Sequence, residues 1–121
     1  MRVAKSLFFV LALCVFSCDD SQEVTFCNVD SINDLEWLRE EMESNGYFEP
    51  LTGKDVLVYN ATYLNKEVVY IVLCCPDCLV LPPEVRACNG VSLGSLDSDI
   101  DRNLLANKKV IWRTNNGGFC Q

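Results

Sequence analysis

Two rhythms of apolar residues divide the chain and predict its elements. Over residues 31–46, Leu35, Leu38 and Met42 recur at helical spacing, while Glu40, Glu41 and Glu43 are expected to face water. Asn33, with Glu36 three positions on, reads as an N-cap and capping box, and Ile32 with Trp37 as a hydrophobic staple. Asn45-Gly46 supplies a left-handed stop. The rhythm then changes to period two. Residues 55–63 alternate Val56, Val58 and Thr62 against Leu57, Tyr59 and Tyr63, which predicts a strand. Leu64-Asn65-Lys66 is a turn, because asparagine tolerates the left-handed region. Residues 67–75 form the return strand. Its two faces, Val69, Ile71, Leu73 and Val68, Tyr70, Val72, are both apolar, so it is central and covered on both sides, with the helix over one of them.

Beyond this strand the chain is punctuated by Pro76 and Pro82-Pro83. Residues 85–88 and 91–93 flank Asn89-Gly90, a strong hairpin signal. Residues 96–107 are polar with a weak helical stretch, and residues 109–113, with Val110, Ile111 and Trp112, read as a last short strand. The pattern predicts an α+β fold: an N-terminal helix packed on a small antiparallel β-sheet, stapled by disulfides.

The first residues follow neither rhythm. Arg2 and Lys5 precede the apolar run of residues 7–16, and the small Ser17 follows, which is the arrangement of a secretory signal peptide over residues 1–17. The run is too short to span a bilayer, which takes about 20 residues. Val15-Phe16-Ser17-Cys18 resembles the lipobox of bacterial lipoproteins, although Phe16 is bulkier than the residue usual at its place. The resemblance implies cleavage before Cys18 and lipidation of its thiol; ordinary secretion after cleavage at Ser17 is the alternative. Asp19-Asp20-Ser21-Gln22-Glu23 resembles the acidic surface-export signal of Bacteroidetes lipoproteins. An aspartate at that place means inner-membrane retention in enterobacteria, and outer-membrane or cell-surface display is the expectation here. The chain then divides into the signal (1–17), a lipid-anchored acidic tether (18–29) and one α+β domain (30–121).

Charge narrows the function classes. The formal net charge is −7; removing Arg2 and Lys5 with the signal leaves 8 basic against 17 acidic residues, a net −9. That balance argues against nucleic-acid binding, which needs a basic face. Histidine is absent, which removes the commonest general base and metal ligand. No serine-nucleophile motif, phosphate loop or calcium loop is present. The acidic helix face reads as solvated, and no cofactor is expected. Asn60-Ala61-Thr62 is an N-glycosylation sequon, and Asp30-Ser31-Ile32 resembles the O-glycosylation motif of Bacteroidetes.

The candidate chemistry lies in the eight cysteines. If Cys14 leaves with the signal and Cys18 carries lipid, six remain for pairing: Cys27, Cys74, Cys75, Cys78, Cys88 and Cys120. An oxidising compartment makes them disulfide candidates. Neighbours on a strand point to opposite faces, so Cys74 and Cys75 should reach different partners. The expected links join one of Cys74, Cys75 and Cys78 to Cys88, and another to Cys120 or Cys27. Cys75-Pro76-Asp77-Cys78 also has the spacing of a thiol–disulfide exchange motif, but Pro82-Pro83 leaves no room for the helix that stabilises the thiolate in thioredoxin-like enzymes. Zinc held by Cys74, Cys75, Cys78 and Cys88 lacks paired knuckles, and no metal site is expected.

An acidic tether, Asn33-Asp34-Leu35-Glu36-Trp37-Leu38, a hairpin through residues 63–70, a Cys-rich strand end and a late cysteine together resemble a group of small uncharacterised lipoprotein domains of Bacteroidetes. The resemblance implies an extracytoplasmic α+β domain and no particular activity. The expectation is a surface-anchored, non-catalytic binding or structural module, attached to the membrane through its lipid and meeting a protein or glycan ligand. Tyr47, Phe48 and Trp112 are candidates for an aromatic contact surface. The competing expectation is an envelope thiol-disulfide oxidoreductase using Cys75 and Cys78. A small inhibitor presenting residues 76–84 is a third class.

Overall fold

The computed structural model describes residues 25–49, 53–79 and 81–114. The proposed signal, Cys18, the acidic run after it and Cys120 lie outside these residues. The fold starts earlier than residue 30. Phe26 and Val29 exchange backbone hydrogen bonds of 3.0 and 2.9 Å around a tight turn, in which Cys27 (φ 50°) and Asn28 (φ 60°) take left-handed conformations. The Phe26 ring is only 2% exposed, in the same core as Leu38 and Met42. Residues 26–29 therefore belong to the folded body, because burying one large aromatic outweighs the polarity of its neighbours.

The helical segment is broken in two. A 3₁₀ turn covers Ile32–Asp34, and helix α1 covers Glu36–Ser44. The expected Asn33 cap is not used. Instead the Ser31 hydroxyl accepts from the Asn33 backbone N–H at 3.2 Å, and Leu35, with φ −101° and ψ 97°, resets the chain before α1. The Ser31 hydroxyl thus caps the 3₁₀ turn, and α1 begins after Leu35 with no side-chain cap. That bond also gives Ser31 of the Asp30-Ser31-Ile32 motif a structural task. The C-terminal stop is a Schellman motif: Tyr47 N–H donates to Met42 at 2.9 Å and Gly46 N–H to Glu43 at 3.0 Å, with Gly46 at φ 68°. Leu38 and Met42 are both fully buried.

A five-stranded antiparallel sheet follows, in the order β4-β3-β2-β1-β5. Strands β1 (Asp55–Tyr63) and β2 (Lys66–Cys74) pair without a register shift from Tyr63↔Lys66 to Asp55↔Cys74. The two-residue turn between them, Leu64 (φ 47°) and Asn65 (φ 63°), has the left-handed pair that matches strand twist. Strands β3 (Glu84–Ala87) and β4 (Ser92–Ser95) form the Asn89-Gly90 hairpin. Strand β5 (Leu105–Arg113) returns to pair with β1 and is longer than the expected residues 109–113. Register irregularities at Val58/Tyr59 and Asn60/Thr62 break its alternation, which hides its first half from a period-two reading.

The sheet is covered on both faces. Val56, Val58 and Val69 meet Phe26, Ile32, Leu38 and Met42 on one side. On the other, Ala61, Val68 and Tyr70, Val85 of β3 and Leu105 of β5 meet Leu96 and Ile100, brought over by the β4–β5 connection. Buried polar groups are paired. Asn60, 4% exposed, donates through Nδ2 to the Glu67 carboxylate and to the Val68 carbonyl, each at 3.1 Å. Its amide is thus committed inside the sheet, which removes the sequon's acceptor from use. Asp55, 2% exposed, accepts from the Thr114 hydroxyl at 3.0 Å, and that hydroxyl accepts from Val56 N–H at 2.8 Å, tying the end of β5 to the start of β1.

Candidate functional site

The cysteines separate by location. Cys27, in the entry turn, is bonded to Cys88 after β3, joining points 61 residues apart. Cys75 and Cys78 are bonded to each other across 3 residues at the exit of β2. Cys74 is disulfide-bonded as well. Cys88 therefore takes Cys27, and not a cysteine of the 74–78 cluster as expected. The entry turn decides this: burial of Phe26 carries Cys27 to the β2–β3 edge, where its N–H donates to the Glu67 carboxylate at 2.7 Å. The four thiolates of the zinc alternative do not exist as a set, since each of those sulfurs is spent in a disulfide. Cys27, Glu67 and Cys88 bring ligand-type atoms within 4.8 Å of one another, but two of those atoms are the sulfurs of one disulfide and the carboxylate already accepts two hydrogen bonds. Cys78 is exposed, and its N–H reaches the Cys75 carbonyl at 3.4 Å. Among the described residues no helix follows Cys75 that would stabilise a thiolate there.

The principal recess lies beside this loop, where the sheet splits. β2 is nine residues long and β3 only four, and the two pair at Val68↔Ala87 and Val69↔Arg86 alone. Beyond Val69 the strands diverge. Pro83 turns its carbonyl to Leu96 N–H at 2.9 Å on the β4 side, and an irregularity at Val85/Arg86 bends β3 away. A groove of about 380 Å³ fills the split. Tyr70, Ile71, Val72 and Leu73 of β2 form one wall, and Leu79, Leu81 and Pro83 of the connection form the other. Trp37, Glu41 and Tyr47 close the side under α1.

The groove's end is rigidly built. The Trp37 indole N–H donates to the Cys88 carbonyl at 2.7 Å, beside the long-range disulfide. The Arg86 guanidinium lies 5.7 Å over the Trp37 ring and pairs with Glu41 at 3.4 Å and Glu84 at 3.0 Å. Two carboxylates thus share one guanidinium and leave a net negative rim. Gly90 presses on the same indole: a β-carbon there would lie 2.9 Å from Trp37 Cγ, and its φ of +88° suits glycine alone. Burial, reinforced by Glu41, raises the Tyr47 phenol above its ordinary range. By contrast Leu79 and Leu81 are 98% and 79% exposed, apolar surface with no protein cover.

On the opposite face Tyr59 and Tyr70 stack at 5.2 Å between ring centroids. Burial first, then the neighbouring Tyr59, pushes the Tyr70 phenol up to about 12, with Arg102 opposing the shift. Arg102 is itself paired with Asp97, whose carboxyl is held low mainly by that hydrogen bond. Of the aromatic candidates, Tyr47 lines the groove, while Phe48 and Trp112 meet edge to face at 5.7 Å and are spent on each other.

No family model, no curated protein and no solved structure matches this chain. Among the described residues no helix is long and apolar enough to cross a membrane. The groove was not anticipated from the sequence, yet a signal for it exists. A strand bounded by Pro82-Pro83 and Asn89-Gly90 is too short to pair with the whole of the neighbouring nine-residue strand.

Proposed function

We propose that this chain is an extracytoplasmic, lipid-tethered, non-catalytic binding or structural module, and that the groove where β3 leaves β2 is its contact site. The observation that carries the reading is an apolar groove walled by Leu79 and Leu81, which lie almost wholly in solvent, beside a locked Trp37–Arg86 platform. Uncovered leucines next to a rigid recess are what a recognition surface offers. The leader-like residues 1–17, the lipobox-like Cys18 and the use of cysteines as disulfides support extracytoplasmic display, at the outer membrane or cell surface. The membrane is met through the lipid, and a protein or glycan ligand through the groove.

A second reading has its own observation. Cys75 and Cys78 form a disulfide across 3 residues, with Cys78 exposed, just before the groove residue Leu79, as an envelope thiol-disulfide oxidoreductase requires. Against it stand the missing helix and the absence of histidine. Intact and peptide mass spectrometry of the protein from its native host, with and without reduction, separates the readings. The module predicts an acylated Cys18 and no alkylatable thiol before reduction. Ready labelling of Cys75 and Cys78 under native conditions, or their switching with the redox buffer, overturns it in favour of the oxidoreductase. An unacylated N-terminus withdraws the anchor.

A further inference from the structure

The alternation of hydrogen-bonding direction along β2 identifies what the groove is shaped to hold. In a two-residue hairpin the pair flanking the turn is the hydrogen-bonded one, and bonded and non-bonded pairs then alternate. Tyr63↔Lys66 flanks the turn, so Val68, Tyr70 and Val72 aim their backbone groups at β1, while Val69, Ile71 and Leu73 aim theirs at the other edge. Neighbouring contacts agree: Val56, across from Leu73, uses its own N–H and C=O on the β5 side, with Thr114. Val69 finds Arg86. Beyond it, among the described residues, no strand faces Ile71 or Leu73.

We propose that the groove binds an extended peptide segment of another polypeptide, which adds to the open half of β2 as an antiparallel strand through the N–H and C=O groups of Ile71 and Leu73. The proposal deepens the binding-module reading and rests on it. Backbone donors and acceptors two residues apart along one line are answered by a strand, and a glycan or a lipid chain does not present that spacing. From Tyr70 to Leu73 the stretch without a facing strand among the described residues runs about 10 Å, at ~3.3 Å per residue, room for a short segment only. Incoming residues opposite Ile71 and Leu73 place their side chains on the α1 side, against Trp37 and Tyr47, and these should be apolar. Leu81 covers the segment from the far wall. Glu41 and Glu84, sharing Arg86, favour a lysine or arginine beside the apolar pair, and the chain's net charge of −7 favours a basic partner generally.

The test uses the oxidised mature chain and the synthetic peptide acetyl-Lys-Val-Thr-Val-Thr-Lys-amide, read by amide hydrogen exchange and Trp37 fluorescence. Binding slows exchange at Ile71 and Leu73 and leaves that at Val69 unchanged. N-methylation of both valines, whose nitrogens face β2, weakens binding at least about tenfold, whereas N-methylation of both threonines does not. The exposed substitution Leu81→Asp weakens binding without lowering Tm. Equal binding of both methylated peptides overturns the proposal, as does binding with no protection at Ile71 and Leu73. Protection of these amides in the protein alone, whether at all concentrations or rising with concentration, overturns it in favour of cover by the chain itself or by a second copy. A glycan that occupies the groove without protecting the two amides removes the strand and leaves the module reading standing. An unacylated Cys18 removes the tether and leaves the strand.

Discussion

Removing the two described disulfides separately should have very different consequences, and the difference follows from where each bond ties the chain. Cys27–Cys88 spans 61 residues, and Cys75–Cys78 spans 3. On the loop-closure relation, restoring those freedoms to the unfolded chain costs about 4 kcal/mol for the long link and about 2 kcal/mol for the short one. The long link also holds Phe26, 2% exposed, beneath α1, so its loss puts that burial at risk as well. Against a typical domain stability of about 5–15 kcal/mol, the first change removes a large share and the second a modest one. The variants are C27A/C88A and C75A/C78A, unfolded in urea at neutral pH without reductant and followed by tryptophan fluorescence. Trp37 reports directly, because its indole is hydrogen-bonded to the Cys88 carbonyl. At a urea dependence of about 1–3 kcal/mol per molar, the two midpoints should lie about 1 M apart, with C27A/C88A the lower. A C75A/C78A protein as unstable as C27A/C88A, or more so, would refute the reasoning.

Other outcomes follow from single contacts. Because the Tyr70 phenol is raised to about 12 in the fold against 10 when unfolded, the unfolded chain loses its proton first as pH rises. The stability it contributes, at most about 3 kcal/mol, is present below pH 10 and lost between pH 10 and 12. Urea titrations over that window should show a shallower alkaline decline in Tyr70→Phe; an unchanged slope removes the assignment. Gly90→Ala forces a β-carbon to 2.9 Å from Trp37 at a φ of +88°, and thermal or urea unfolding should record a loss of about 1–3 kcal/mol together with altered Trp37 emission. Met42→Ala, at a fully buried position, should cost about 2–5 kcal/mol. On the wet face of the same helix Glu43→Ala, which loses only a 4.0 Å exposed pair with Arg39, should stay within about 0.5 kcal/mol by the same urea assay.

What the sequence determined by itself is whatever depends on neighbours along the chain. The Leu38–Met42 stripe, the Leu64-Asn65 and Asn89-Gly90 turns and the two apolar faces of β2 are local patterns, and each one appears in the fold where its residues place it. Local geometry also departs from the pattern: Ser31 caps a 3₁₀ turn and Leu35 breaks the helix before α1, while bulges erase the alternation in the first half of β5. Only the tertiary structure decided the rest. Cys27 meets Cys88 because Phe26 is drawn under α1, a packing choice made across 61 residues that spacing alone does not encode. The order that sets β5 beside β1 closes one edge of the hairpin, and among the described residues the short β3 pairs with only part of the other. Periodicity reports which face of a residue is buried. Which strand, ring or sulfur covers that face depends on distances in space, and among the described residues no strand faces Ile71 and Leu73 because β3 pairs with β2 only as far as Val69.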